Sequence, residues 1–230
     1  MPITLYELVG RDEGRPFSPH CWKTAFALAH KGLDFTTVPT RFLDVPAIEN
    51  GVTRHVPLIR DGDRLVSDSF EIALYLEQAY PERPTLFAGE GGVALSRFVE
   101  RWSTSTLHSF IGKALLLDIH DRLGEADQAY FRKSREARIG ATLEAASQQR
   151  EERLEAFRAS LAPLRGMVEA QAFIGGEAPL FADHIVAGAL QWARVISPFR
   201  LLEESDPVAV WFERCLDLYG GLGRQVAAAA

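Results

Sequence analysis

The chain has 230 residues, a formal net charge of −6 at pH 7, and a hydrophobic share of 47%. This length supports one large or two unequal domains with a substantial core. The acidic balance and the lack of a long Lys/Arg run argue against nucleic acid or an anionic membrane as partner. Residues 1–6 contain no basic segment leading into an apolar one, and no stretch is apolar enough to span a bilayer, so a soluble cytoplasmic protein is expected. Cys21 and Cys215 belong to no Cys-x-x-Cys or Cys/His cluster, and packing is their default role.

Residues 3–8 alternate apolar with polar and read as a strand, and residues 34–39 are a second β-rich run. Between them Ser18-Pro19 starts a helix: the hydroxyl can accept from a free backbone N–H, and proline at the first helical position forfeits no bond. Trp22, Ala25, Phe26, Leu28 and Ala29 follow at helical spacing, and Gly32 ends the helix. Residues 57–60, the Asp61-Gly62-Asp63 turn and residues 64–67 predict a hairpin. Phe70, Ile72, Ala73, Leu74, Leu76 and Tyr80 then predict a helix after Asp68-Ser69. The order βαβ then ββα is that of an α/β thioredoxin-like domain over residues 1–80. Pro81, Pro84, Gly89, Gly91 and Gly92 mark a linker over 81–92. Helical patterns at 93–121, 126–149, 151–172, 182–196 and 207–219 predict an all-α domain over 93–230.

Three short stretches carry chemistry. A hydroxyl at a helix N-terminus sits beside unpaired N–H groups and a partial positive charge, which favours an anion such as a thiolate. Donation from Ser18 would lower a bound thiol's pKa by roughly one to two units. A plain N-cap is the competing account of Ser18. In Val56-Pro57, a cis bond would leave the Val56 backbone free to pair with the peptide backbone of a bound thiol compound; the competing account is a proline that simply opens a strand. At Asp68-Ser69, the serine suits a carboxylate and the aspartate an ammonium, the two groups of an α-amino-acid end, while capping explains the same residues without a ligand. Arg41, Arg54 and His55 lie in the loop leading to Val56-Pro57 and are candidates for a further ligand carboxylate. Trp102, Leu107, His108, Phe110 and Ile111 share one helical stretch as candidates for an apolar pocket, and His20 is placed to tune the field at Ser18; ordinary core or surface placement is the alternative for each. His120 with Asp118 and Asp121 has no second matched cluster, and no metal is expected.

The order and separation of Ser18, Val56-Pro57 and Asp68-Ser69 resemble the glutathione transferase family, over both halves of the chain. The resemblance implies that Ser18 contacts the glutathione sulfur, Val56 the cysteinyl backbone and Asp68-Ser69 the γ-glutamyl group. It also implies that Arg41, Arg54 or His55 meets the glycyl carboxylate and that the protein is a homodimer. Ser18-Pro19-x-x-Trp22-Lys23-Thr24, Trp102-Ser103-Thr104, Asp118-x-His120-Asp121, Phe181-Ala182-Asp183 and the stretch from Asp217 to Arg224 are similar to bacterial β-etherases and fungal FuA-type transferases. That narrower resemblance implies glutathione attack on a small aromatic electrophile, in its sharpest form β-aryl ether cleavage. A serine at position 18 speaks against thiol transfer through a mixed disulfide, which needs a cysteine there. Leu180 departs from the usual hydroxyl cap and leaves Asp183 to cap its helix alone. A non-catalytic or weakly catalytic protein that binds aromatic ligands on the same fold is the alternative.

Overall fold

The computed structural model describes residues 2–230. Strand β1 (Ile3–Leu8), helix α1 (Pro19–His30) and β2 (Phe35–Thr40) form the βαβ unit, followed by β3 (Leu58–Asp61), β4 (Arg64–Ser67) and α2 (Ser69–Ala79). The sheet order is β2-β1-β3-β4, with β1 parallel to β2 and antiparallel to β3, and β3 antiparallel to β4. This is the thioredoxin-like arrangement that the element order predicts. The hairpin turns at Gly62, whose φ of +58° a glycine adopts without steric cost. The loop between β2 and β3 is pinned by Glu49, which accepts from the Tyr6 hydroxyl on β1 and from the Arg60 guanidinium on β3.

The second half is helical: α3 (Glu90–Ser103), a π-helical turn (Thr104–His108), α4 (Ser109–Ala114), α5 (Leu116–Arg122), α6 (Glu125–Ile139), α7 (Leu143–Gln148), α8 (Arg150–Ser160), α9 (Ala162–Ala170), α10 (Phe181–Ile196) and α11 (Pro207–Leu216). The three long helices predicted at 93–121, 126–149 and 151–172 are each broken. The first widens at Thr104 and bends at Leu115 (φ −108°, ψ 11°). The second stops at Gly140, which is left-handed, and restarts where the Thr142 hydroxyl accepts from Ala145 N–H (3.2 Å). The third bends at Leu161, ahead of Pro163 in the first turn of α9. The segments on either side of each break contribute to the same apolar core, so apolar residues recur on both sides of it. Gly91 and Gly92 lie in the first turn of α3 rather than in a loop, and a Cβ on Gly92 would fall 1.4 Å from the Phe87 carbonyl oxygen.

Helix α10 packs along α1 and α3 and joins the two halves. Gly188 allows the approach, since a Cβ there would come within 2.6 Å of the Pro19 carbonyl oxygen. Phe26, Leu28, Ile185 and Val186 are fully buried at or near this seam, each contributing about 1.5–3 kcal/mol of burial. At the far end of α1, His30 Nε2 faces the Thr85 carbonyl (2.9 Å), which can only accept, so the ring proton is on Nε2. His30 Nδ1 therefore accepts from the Tyr219 hydroxyl (2.9 Å), and the Tyr219 oxygen accepts from His184 Nε2 on α10 (2.7 Å). At the start of α10 the buried Asp183 carboxylate accepts from the N–H groups of Ile174 (2.7 Å), Gly175 (2.9 Å) and Leu180 (3.0 Å) and from Trp211 Nε1 (3.2 Å). Asp183 thus fastens a loop and α11 to the helix as well as capping it. Among the described residues, no helix is long and apolar enough to cross a membrane.

Candidate active site

The strand register brings the three marked stretches to one end of the sheet. Tyr6 pairs with Leu58 and Leu58 with Ser67. The exit of β1 toward Ser18, the entry to β3 at Val56-Pro57 and the exit of β4 at Asp68-Ser69 therefore lie side by side.

Ser18 is buried at the head of α1 and accepts from the Cys21 N–H (3.3 Å). That bond uses a lone pair and leaves the hydroxyl proton for a ligand. Capping and donation, alternatives on sequence grounds, are compatible in one side chain. Cys21 itself is no nucleophile: burial pushes its thiol up to about 12.

Behind Ser18, Lys23 is buried and donates to His20 Nδ1 (3.2 Å) and to Glu100 on α3 (3.5 Å). Because the Lys23 nitrogen is the donor, the His20 proton belongs on Nε2. Burial, with the charge of Lys23 beside it, holds His20 well below the usual imidazole range, so the ring is neutral. Asp68 also lies within the field of Lys23. Sequence reasoning assigned nothing to Lys23 or Glu100; a lysine on the apolar face of α1 was the available signal.

The Val56-Pro57 bond is cis. The turn before it is held by the Thr53 hydroxyl, which bonds both the N–H (3.1 Å) and the carbonyl (2.9 Å) of His55. Asp68 N-caps α2 through Oδ1, accepting from Phe70 N–H (2.8 Å) and Glu71 N–H (3.1 Å), and its backbone sits at φ +72°, a region that non-glycine residues seldom occupy. Strain of this kind persists where surroundings enforce it, often at ligand sites. Ser69 opens α2 and is buried, and among the described residues its hydroxyl has no protein partner. Of the three cationic candidates, Arg41 is exposed and paired with Glu13 (2.8 Å), while Arg54 and His55 are exposed beside the cis bond.

A cavity of about 250 Å³ opens beside Ser18 between the two halves. Phe17, Phe42, Phe131 and Trp192 give it aromatic walls, and His20, His108, Arg135 and Arg138 line it as well. The rings run in series: His20 to His108 at 5.2 Å and His108 to Trp192 at 5.8 Å between centroids. Burial brings His108 down to about 4, so it is neutral at pH 7. Of the five pocket residues expected from the sequence, His108 lines this cavity. Leu107 and Ile111 are fully buried in the core, and half-buried Trp102 packs against it. Phe110 stacks on Phe157 (4.2 Å) and lines a different cavity with Lys113 and Arg150. Phe17, Phe42, Trp192, Arg135 and Arg138 were not singled out; the i, i+3 arginines on α6 were the legible signal among them. Among the described residues, no three His, Cys, Asp or Glu side chains gather closely enough to hold a metal ion. His120 bonds Asp121 (2.9 Å), and Asp118 pairs with Arg150 (2.7 Å).

Two family models match this chain: the glutathione S-transferase N-terminal domain over residues 14–84 and the glutathione S-transferase C-terminal domain over residues 94–217. The chain belongs to the glutathione S-transferase family. In sequence the chain is 36% identical over 69 residues to glutathione S-transferase Z1 of Arabidopsis thaliana, a match covering 28% of this chain and 31% of that protein. Glutathione S-transferase 1 of Dianthus caryophyllus is 28% identical over 117 residues, covering 49% of this chain and 53% of the relative. The match thus spans about a third to a half of the curated relatives' length. In structure it is similar to a glutathione S-transferase of Ceriporiopsis subvermispora in complex with glutathione, with a TM-score of 0.83 at 22% identity over 95% of this chain and 96% of the other. Glutathione transferase GSTFuA3 of Phanerochaete chrysosporium superposes with a TM-score of 0.76 at 24% identity, over 100% of this chain and 99% of the other. At such identities these superpositions speak for the fold.

Proposed function

We propose that this family member is a glutathione transferase acting on aromatic electrophiles, with glutathione β-aryl ether cleavage as the sharpest form of that reading. Residues 1–80 bind glutathione, residues 81–92 link the halves, and residues 93–230 complete the electrophile pocket. The observation that carries it is Ser18: its hydroxyl stands at the head of α1, lining an aromatic cavity, at the sheet end shared by Val56-Pro57 and Asp68-Ser69. The solved Ceriporiopsis relative with glutathione bound supports glutathione as co-substrate.

In this reading the Val56 backbone pairs with the cysteinyl unit, and Asp68-Ser69 receives the γ-glutamyl end. Arg41, Arg54 and His55 are the candidates for the glycyl carboxylate. Ser18 donates to the sulfur, and the α1 N-terminus adds its partial charge, so the thiol ionises near neutral pH. The thiolate attacks the ether-bearing carbon next to a ketone; the S–C bond forms, the C–O bond breaks with its electron pair, and the phenolate takes a proton from water. The proposal includes a cytoplasmic setting, where thiols stay reduced, and a homodimer, for which Phe98, 68% exposed on α3, is a fitting contact.

The test is glutathione-dependent release of a fluorescent phenol from a β-aryl ether ketone, with an aryl halide assayed in parallel. Phenol release with weak halide turnover supports ether cleavage. Halide conjugation alone restricts the reading to a general transferase. Glutathione binding without either turnover transfers the assignment to a ligand-binding protein.

A further inference from the structure

The ionisable groups lining the cavity beside Ser18 are all basic: His20, His108, Arg135 and Arg138, with no carboxylate among the lining residues. Arg135 and Arg138 stand at i and i+3 on α6 and so share a face of the helix. The Arg135 guanidinium lies over the rings of Phe131 (4.7 Å to the centroid) and Phe42 (5.5 Å), and one of its nitrogens donates to Ser134 (2.9 Å). Among the described residues neither arginine forms an ion pair, whereas Arg132 on the same helix holds both Glu136 and Glu144 at 2.9 Å. The chain carries 31 acidic against 25 Lys and Arg side chains, so acids to neutralise two adjacent cations were not scarce. Burial and the charge of Arg138 together depress Arg135. Rings against the face of the Arg135 guanidinium leave the in-plane N–H groups that Ser134 and Tyr130 do not engage for a planar acceptor. His108 adds a buried Nε2 that has no partner among the described residues and that a polar substituent within the cavity would satisfy.

We propose that the electrophile carries a carboxylate on the aromatic ring that enters this cavity, its acid group held by Arg135 and Arg138 and its reactive carbon turned toward Ser18. The proposal rests on the reading that glutathione's sulfur lies at Ser18. That one ring enters follows from the volume of about 250 Å³, which lies below the range of roughly 300–1,000 Å³ usual for drug-sized ligands.

The experiment is isothermal titration of the whole protein with glutathione, S-(para-carboxybenzyl)glutathione, S-(para-methylbenzyl)glutathione and para-toluate. It compares wild type, Arg138→Met and the double variant Arg135→Met with Arg138→Met. Wild type should prefer the carboxylated conjugate over its methyl analogue by about tenfold or more, as a charge-assisted contact implies. The preference should shrink in Arg138→Met, an exposed position that keeps the test open should the double variant not fold, and vanish in the double variant. Affinity for glutathione itself should not change. Absence of a preference in wild type overturns the proposal. So does an equal loss of affinity for glutathione and both conjugates, because the arginines would then serve the co-substrate's own carboxylates. If no glutathione compound binds wild type, it is the transferase reading that fails, and para-toluate decides the rest: binding that the variants abolish keeps the arginine site, and no binding overturns it.

Discussion

In the proposed function Ser18 serves the fold and the chemistry at once, since its oxygen caps α1 and its O–H is the donor to the sulfur. Ser18→Ala should therefore have two separable effects. Stability should fall by about 1 kcal/mol for the lost cap. The apparent pKa of enzyme-bound glutathione, read from thiolate absorbance, should rise by roughly one to two units, with kcat/KM falling about 10- to 100-fold; an unmoved thiol pKa would assign the activation to backbone N–H groups. Three positions on, Cys21 is held at about 12 by burial, so iodoacetamide at pH 8 should leave it unmodified in the native protein and alkylate it in urea, as read by mass spectrometry. Ser18, Val56-Pro57 and Asp68-Ser69 were legible because turn and cap chemistry is local. Lys23 was not, because its carboxylate partner Glu100 lies 77 positions along the chain on α3 and reaches it only in the folded molecule.

Among the elements, the π turn at Thr104–His108 explains which pocket residues the sequence hid. His108 at the end of the turn, Gly112 on α4 and Leu116 and Ile119 on α5 form one stripe, and that stripe faces the cavity. Leu107, Ile111, Ala114 and Leu115 form the neighbouring stripe, and all four are core. Choosing the more apolar residues of the stretch selects the core stripe, and a wide turn that resets the helical phase leaves little trace in composition. The ββα hairpin and the βαβ crossover, by contrast, were readable from a two-residue turn and a proline-started helix. For α10 the consequence concerns Asp183, which bonds four donors from three segments. Asp183→Ala should cost on the order of 3–5 kcal/mol, since several buried N–H groups lose their acceptor. A urea midpoint close to wild type would show that water replaces the carboxylate.

Across the whole molecule, buried titratable groups set the response to pH. Burial raises Glu7 on β1 from its ordinary 4.5 to about 7, so its contribution to stability is complete below pH 4.5 and is lost as pH rises through 7. His20, His30, His108 and His184 are all lowered from 6.5, chiefly by burial, and their contributions are complete above 6.5 and lost as pH falls below it. Glu7 and His108, moving from 4.5 to about 7 and from 6.5 to about 4, largely offset one another. Asp183 is also raised by burial and works the other way, but the other three histidines outnumber it: urea midpoints should fall from pH 6.5 toward 4.5, and Glu7→Gln should steepen that fall while gaining at most about 3 kcal/mol on wild type at pH 8. A midpoint that rises on acidification would mean that these imidazoles take up protons without penalty. Helix α1 also has a mechanical side, because the rod that presents Ser18 is clamped at its other end by the hydroxyl of Tyr219. Twelve residues make a lever of roughly 18 Å. A small tilt at His30 is thus displacement at Ser18, and in the proposed function Tyr219→Phe should lower kcat/KM severalfold and raise the apparent pKa of bound glutathione by less than Ser18→Ala does.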